Sequence, residues 1–182
     1  METTEWIVIG VAAALVVLLA LAWMRIRSRR SHLKARFGPE YQRVVSDAGT
    51  GAGERQLAGI EEQHDDLDLR PLPPAARERY LDEWRHAESR FVSDPRDAAR
   101  AAERLVVRVL EERGYPRDDD DDALAALVGV DHPHVAERYR HGHAMLDTVD
   151  GDVGTENLRK AMLDFRSVLE DVLHSETRSA VR

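Results

Sequence analysis

From Trp6 to Met24 the chain runs nineteen residues without a charge. At 1.5 Å per helical residue this run reaches about 28 Å, close to the ~30 Å hydrocarbon core of a bilayer. Ile7-Val8-Ile9 and Leu15-Val16-Val17-Leu18-Leu19 make it apolar on every side of a helix. Trp6 and Trp23 stand near its two ends, where amphipathic rings settle at membrane interfaces. The pattern predicts one transmembrane helix over 6–24.

Beyond it the apolar positions recur at spacings of three and four, the period of helices with one buried face. Leu33, Phe37, Tyr41 and Val44 or Val45 keep this spacing across Gly38-Pro39, so a short helix restarts at Pro39 and ends by Asp47. Gly49, Gly51 and Gly53 read as a flexible linker. A phosphate-binding loop would need a preceding strand and a Gly-Lys-Ser/Thr or Gly-x-Gly-x-x-Gly pattern, and neither is present. Leu57, Ile60 and Leu67, with His64 on the same stripe, predict a helix over 54–67. Arg70-Pro71-Leu72-Pro73-Pro74 then turns the chain into a helix over 75–91 whose stripe is Tyr80, Trp84, Ala87 or Glu88, and Phe91.

Asp94 is a predicted N-cap with Pro95 at the first helical position and Asp97 in the first turn. The helix it opens carries Ala98, Ala102, Leu105, Val106, Val109 and Leu110 inward and stops at Gly114-Tyr115-Pro116. Asp118 to Asp122 reads as a solvated loop rather than a calcium loop, which would alternate ligands with spacers. A short helix follows over 123–128. Val130-Asp131-His132-Pro133 repeats the capping pattern and opens a helix with Val135 or Ala136, Tyr139, Gly142 and Leu146 inward. After a turn over 150–154, with Thr155 as N-cap, the last helix carries Leu158, Ala161 or Met162, Phe165, Leu169 and Val172. The expected fold is all-α: an N-terminal transmembrane helix followed by a helical bundle of five or six helices. Its parts are a short tail (1–5), the span (6–24), a basic juxtamembrane segment (25–36), the helical domain (37–175) and a polar tail (176–182).

Charge orients this plan. Glu2 and Glu5 precede the span, whereas Arg25, Arg27, Arg29, Arg30, Lys34 and Arg36 follow it with no acid among them. The expectation is a single-pass cell-membrane protein with its N-terminus outside and its C-terminal domain cytoplasmic. A cleaved signal peptide fits less well, because the basic n-region is missing. The same six basic residues are the expected contacts to anionic lipid headgroups, each contributing on the order of 1 kcal/mol near the leaflet. Residues 37–182 carry twenty basic and thirty-two acidic groups, a balance of −12. That acidity speaks against nucleic acid as a partner, since such affinity comes largely from neutralising phosphates. There is no cysteine, which removes disulfides and lipidated cysteine.

Candidate chemistry is sparse. The chain has no Gly-x-Ser-x-Gly elbow and no His-Glu-x-x-His motif, and its carboxylates are too numerous to single out an acid–base pair. His132, His134, His141 and His143 cluster in sequence, but His141 and His143 point about 200° apart on a helix, against the three-or-four spacing of zinc ligands. No catalytic, cofactor-binding or metal-ligating residue is assigned, and no cofactor. Phe37-Gly38-Pro39-Glu40-Tyr41, Arg70-Pro71-Leu72, Arg79-Tyr80 with Trp84, Phe91-Val92-Ser93-Asp94-Pro95, Gly114-Tyr115-Pro116 and Val130-Asp131-His132-Pro133 together resemble a family of uncharacterised actinobacterial single-span membrane proteins. The resemblance covers nearly the whole domain and implies the architecture only.

The expected role is a membrane-tethered helical interaction or scaffold module with an unknown protein partner. The alternative is an enzyme or small-ligand sensor with a pocket inside the helical domain. Single cysteines at Thr3 and Thr50 test the topology with a membrane-impermeant thiol reagent on intact cells. Position 3 is expected to label and position 50 only after permeabilisation; the reverse pattern contradicts a cytoplasmic domain.

Overall fold

The computed structural model describes residues 2–117, 120–147 and 154–179, with side chains described between residues 13 and 174 of these. Among the described residues there are eight helices and no strand. They are α1 (Glu2–Phe37), α2 (Pro39–Ala48), α3 (Thr50–Asp65), α4 (Pro74–Arg90), α5 (Pro95–Arg113), α6 (Asp121–Asp131), α7 (Pro133–Leu146) and α8 (Thr155–Ser179). The fold is all-α. Seven helices follow α1 rather than the expected five or six, because short helices flank tight corners at Gly38, Gly49 and His132.

Among the described residues no helix is long and apolar enough to cross a membrane. Of the run 6–24, only Ala13 to Met24 lies among the residues with described side chains, and all of these are exposed. The helix does not break after the run. α1 continues through the basic segment to Phe37, and its last turns belong to the folded domain: Leu33 is 1% exposed and Phe37 0%.

The best-defined boundaries are local in origin. Asp94 accepts from the backbone N–H of Asp97 at 3.1 Å, with Pro95 at the first helical position of α5. At the other end Gly114 takes φ 104°, and the N–H of Tyr115 returns to the carbonyl of Leu110 at 3.1 Å, the Schellman closure. Gly114 is required twice, since a Cβ there would also lie 2.5 Å from the carbonyl oxygen of Asp68. Asp120 caps α6 through the N–H groups of Asp122 and Ala123, so part of the acidic run is helix start rather than loop; Asp118 and Asp119 lie outside the described residues. Most of the 150–154 turn does too. Thr155 is the first residue of α8, whose opening N–H groups, from Asn157 and Leu158, reach the carbonyl of Gly154. α8 extends to Ser179, past the expected start of the polar tail.

The glycine run is not a flexible linker. Gly49, at φ 78°, turns the chain sharply and α3 begins at Thr50. Gly53 lies inside the helix and is buried, where a Cβ would stand 3.0 Å from both the Val44 carbonyl oxygen and the Val45 Cα. These glycines let α2 and α3 close into a tight hairpin.

Two apolar clusters result. The larger joins α4 to α8 through Tyr80, Trp84, Leu105, Val106, Leu124, Val135, Phe165 and Leu169. The smaller joins the end of α1 to the α2–α3 hairpin and to α6 through Leu33, Phe37, Tyr41, Val44, Leu57 and Val130. Ile60 packs against both. α1 therefore packs on α2, α3 and α6, while α4 packs on α5, which lies against α7 and α8.

Deleting the Phe37 ring leaves a hole in the smaller cluster, so Phe37→Ala is expected to lower unfolding free energy by about 3–5 kcal/mol in urea titration. A fragment beginning at Glu40, which lacks both Leu33 and Phe37, is expected to melt below one beginning at Arg25; equal melting contradicts α1 as part of the domain. Gly114→Ala is expected to cost more than about 2 kcal/mol, combining a left-handed backbone with a steric clash.

Candidate functional site

The densest polar constellation lies where α2, α5, α6 and α7 meet. Gly38, at φ 52°, folds α2 back so that Glu40 enters in the first turn of that helix, 5% exposed. Its carboxylate accepts from Arg43 Nη2 at 2.6 Å and from Arg140 Nη1 at 2.8 Å. Arg140 donates onward to the Asp122 carboxylate at 2.7 Å and to its carbonyl at 3.3 Å. One guanidinium thus ties together the starts of α2 and α6 and the middle of α7.

One residue earlier on α7, the Tyr139 hydroxyl donates to the Asp121 carboxylate. Burial and that carboxylate both raise its pKa. One turn on, the His143 ring stacks on Tyr139, centroids 6.4 Å apart and planes within 9°. Its Nδ1 lies 2.6 Å from Glu103 of α5, and its Nε2 lies 3.5 Å from Asp121 and 3.6 Å from Asp147. Burial alone would lower the His143 pKa, but the hydrogen bond to Glu103 and the charges of Asp121, Glu103 and Asp147 together raise it. These side chains line an open depression of about 600 Å³.

The chemistry available there is limited by how its groups are used. Asp120 caps α6, Asp121 holds Tyr139, Asp122 holds Arg140, and Glu103 holds His143. Asp121, Asp122 and Glu103 are each committed to a side chain of another helix, Asp120 caps its own, and the lining contains no serine, threonine, lysine or cysteine. The arrangement fastens helices together.

The sequence cluster of histidines is dispersed. His143 faces α5, His141 Nδ1 lies 2.5 Å from Asp164 of α8, and His132 stands at the α6–α7 corner as the residue before Pro133. Asp131 is not a cap. It ends α6 and directs its carboxylate to within 3.2 Å of His64 Nε2. Among the described residues no group of three or more histidines and carboxylates is arranged to hold a metal ion. His64 is 6% exposed, with neither ring nitrogen in hydrogen-bond geometry, and it tilts against Tyr115 at 6.3 Å. Burial and Asp131 push the Tyr115 hydroxyl up to about 12 against the opposing pull of Arg113.

The basic segment splits in two. Arg36 reaches Glu61 and Asp65 of α3 at 2.6 Å each, Arg30 reaches Glu54 at 2.9 Å, and the Lys34 ammonium sits 5.3 Å over the Tyr41 ring. These residues fasten α1 to the hairpin. Arg25 and Arg29 are exposed and make no ion pair among the described residues, and Arg27 lies over the Trp23 ring. Reasoning from sequence did not single out Glu40, Glu103, Arg140 or Glu61, whose partners lie 25 to 100 residues away. No local motif announces such pairs.

Comparison of the chain with protein-family models, with curated proteins and with solved structures finds no match.

A histidine with a raised folded pKa adds stability that is complete below its unfolded value of about 6.5 and is lost as pH rises through the folded value. His143→Gln is therefore expected to cost more at pH 5.5 than at pH 8.5, read as the shift in urea midpoint. A cost that is flat with pH contradicts the charged contact with Glu103. Removing one partner of the buried pair, by Arg140→Ala, is expected to cost about 3 kcal/mol, because the buried Glu40 is left with Arg43 alone and Asp122 loses its guanidinium.

Proposed function

We propose that the chain is a membrane-tethered helical interaction module, anchored by α1 through Trp6–Met24 with its N-terminus outside and its helical domain at the cytoplasmic face. The observation that carries this reading is the state of the first half of α1. Leu15, Val16, Val17, Leu18, Leu19, Leu21, Trp23 and Met24 are each 55% exposed or more and rest against no part of the domain. A contiguous apolar surface of this kind marks an interface with lipid or with another apolar body. The uncharged run continues upstream to Trp6, and a helix apolar on all sides with a basic flank suits lipid.

The division of the basic segment sharpens the lipid contact. Arg25, Arg27 and Arg29, free of carboxylates, take the headgroups, while Arg30 and Arg36 serve the domain. The resemblance to actinobacterial single-span proteins agrees with this plan. An enzyme or ligand sensor remains the competing reading, and the feature that favours it is the depression around His143, where a histidine of raised pKa faces three carboxylates. The commitment of those groups to holding helices together favours the module.

Cell fractionation tests the reading. The full chain is expected to stay with membranes through alkaline carbonate, and a chain lacking residues 1–24, which keeps Leu33 and Phe37, is expected to be soluble and folded by circular dichroism. Carbonate extraction of the full chain overturns the anchor.

A further inference from the structure

Arg96, Arg100, Arg104 and Arg108 stand at every fourth position of α5. They form one ridge of the kind that packs into the groove of a neighbouring helix. All four are exposed, and over twelve residues the ridge extends about 18 Å. Its charge is unusual in context. Most arginines of the domain meet a carboxylate: Arg43, Arg79, Arg90, Arg138, Arg140 and Arg166 each pair with one, and on the ridge Arg108 pairs with Glu83. Among the described residues Arg96, Arg100 and Arg104 make no ion pair, although residues 37–182 hold twelve more acids than bases. Three unneutralised arginines in succession on an acidic domain are a local reversal of sign.

At the end of the ridge that carries Arg104 and Arg108 runs a groove of about 380 Å³ between α4 and α5, floored by Ala87, Ala101 and Leu105 and flanked by His86, Arg90, Arg104 and Arg108; the two acids on its α4 side, Asp82 and Glu83, are already paired with Arg85 and Arg108. Its floor is apolar, and the two alanines let another backbone come close. The surface lies away from the anchor, since α1 packs on α2, α3 and α6, whereas α4 packs on α5, which lies against α7 and α8.

We infer that the α5 ridge and the α4–α5 groove are the docking surface for an acidic amphipathic helix of a partner protein, one that sets small apolar residues on the groove floor and carboxylates at every fourth position against Arg96, Arg100 and Arg104. Charge complementarity selects this occupant. A basic partner is repelled by the ridge, and an uncharged one leaves three guanidinium groups unmatched. A little over three turns of helix match the length of the ridge. Opposite charges brought together at such an interface speed association and fix register, and the contact weakens as salt screens it.

This inference rests on the module reading and names its partner class, and it is tested without the membrane. The full chain in detergent micelles is titrated with a fluorescent sixteen-residue helical peptide carrying glutamate at every fourth position beside an alanine–leucine face, followed by anisotropy. Saturable binding is expected. It should weaken about tenfold or more in the double variant Arg100→Glu, Arg104→Glu, and be restored when that variant meets the peptide with lysine in place of glutamate. Far-ultraviolet circular dichroism of the variant confirms that the fold is kept. Absence of saturable binding to the unaltered chain overturns the proposal, as does binding indifferent to the double reversal. Phosphatidylglycerol vesicles are run in parallel with the chain lacking residues 1–24. If they bind it and release it on the double reversal, the ridge belongs to lipid and the proposal also falls. Carbonate extraction of the full chain, by contrast, removes the anchor while leaving the peptide result intact.

Discussion

A carboxylate taken out of water has to be met by positive charge and hydrogen-bond donors, and the domain meets that demand at Glu40. One donor, Arg43, comes from the same helix. The other, Arg140, lies one hundred residues further along the chain and reaches on to Asp122. Docking the α2–α3 hairpin in any other register strands the charge. On the opposite side of the same seam, Leu33, Phe37, Val44, Leu57 and Val130 exclude water. Charge fixes the position of the hairpin and apolar burial holds it there, so the two parts of the domain behave as one body.

The seam also determines what becomes of the basic segment. In the anchored arrangement Arg25, Arg27 and Arg29 lie within about 8 Å of Met24 along the helix axis, and Arg36 about 18 Å from it. A headgroup layer is on the order of 5–8 Å thick on each side of the hydrocarbon core. The depth at which headgroups end is thus the depth at which α3 begins to supply carboxylates, through Glu54 to Arg30 and through Glu61 and Asp65 to Arg36. Among the five arginines, distance along the helix and the presence of an acid partner divide the set at the same residue, and Lys34, beyond that point, sits over the Tyr41 ring instead. In the proposed arrangement α1 would be held by lipid at one end, and it is held by the hairpin at the other.

What was legible in the sequence was what is decided within a turn or two of helix. Asp94-Pro95 and Gly114-Tyr115-Pro116 set the limits of α5 because a cap and a left-handed residue act on neighbouring backbone. The stripes on α4, α5, α7 and α8 were legible for the same reason, and Tyr80, Trp84, Leu105, Tyr139 and Phe165 are buried as their spacing requires. Gly53 reads as slack in the sequence and proves to be a close contact, since its need for glycine is set by Val44 and Val45 across a hairpin. Asp131 looks like a cap until its distance to His64 is known. Glu40, Glu103 and Arg140 carry no signature at all, because each is defined by a partner on another helix. The arginine ridge is different: its four-residue spacing is visible in the chain, but only the ion-pair map separates it from the many arginines that are neutralised.

In the anchored arrangement proposed above, the acidity of the domain and the rigidity of the seam together would decide which surface faces outward from an anionic leaflet. A body with an excess of twelve acids is repelled by such a leaflet within a screening length of about 8–10 Å, while the arginines of α5 taken alone would be drawn to it. A loosely hinged domain would respond by rolling until the ridge met the headgroups and its groove was covered. Glu40 with Arg140, and Phe37 with Val130, forbid that roll, because α1 leaves the domain from the α2, α3 and α6 side and cannot turn independently of it. In that arrangement, the buried ion pair that joins hairpin to body would keep the α4–α5 groove turned from the leaflet.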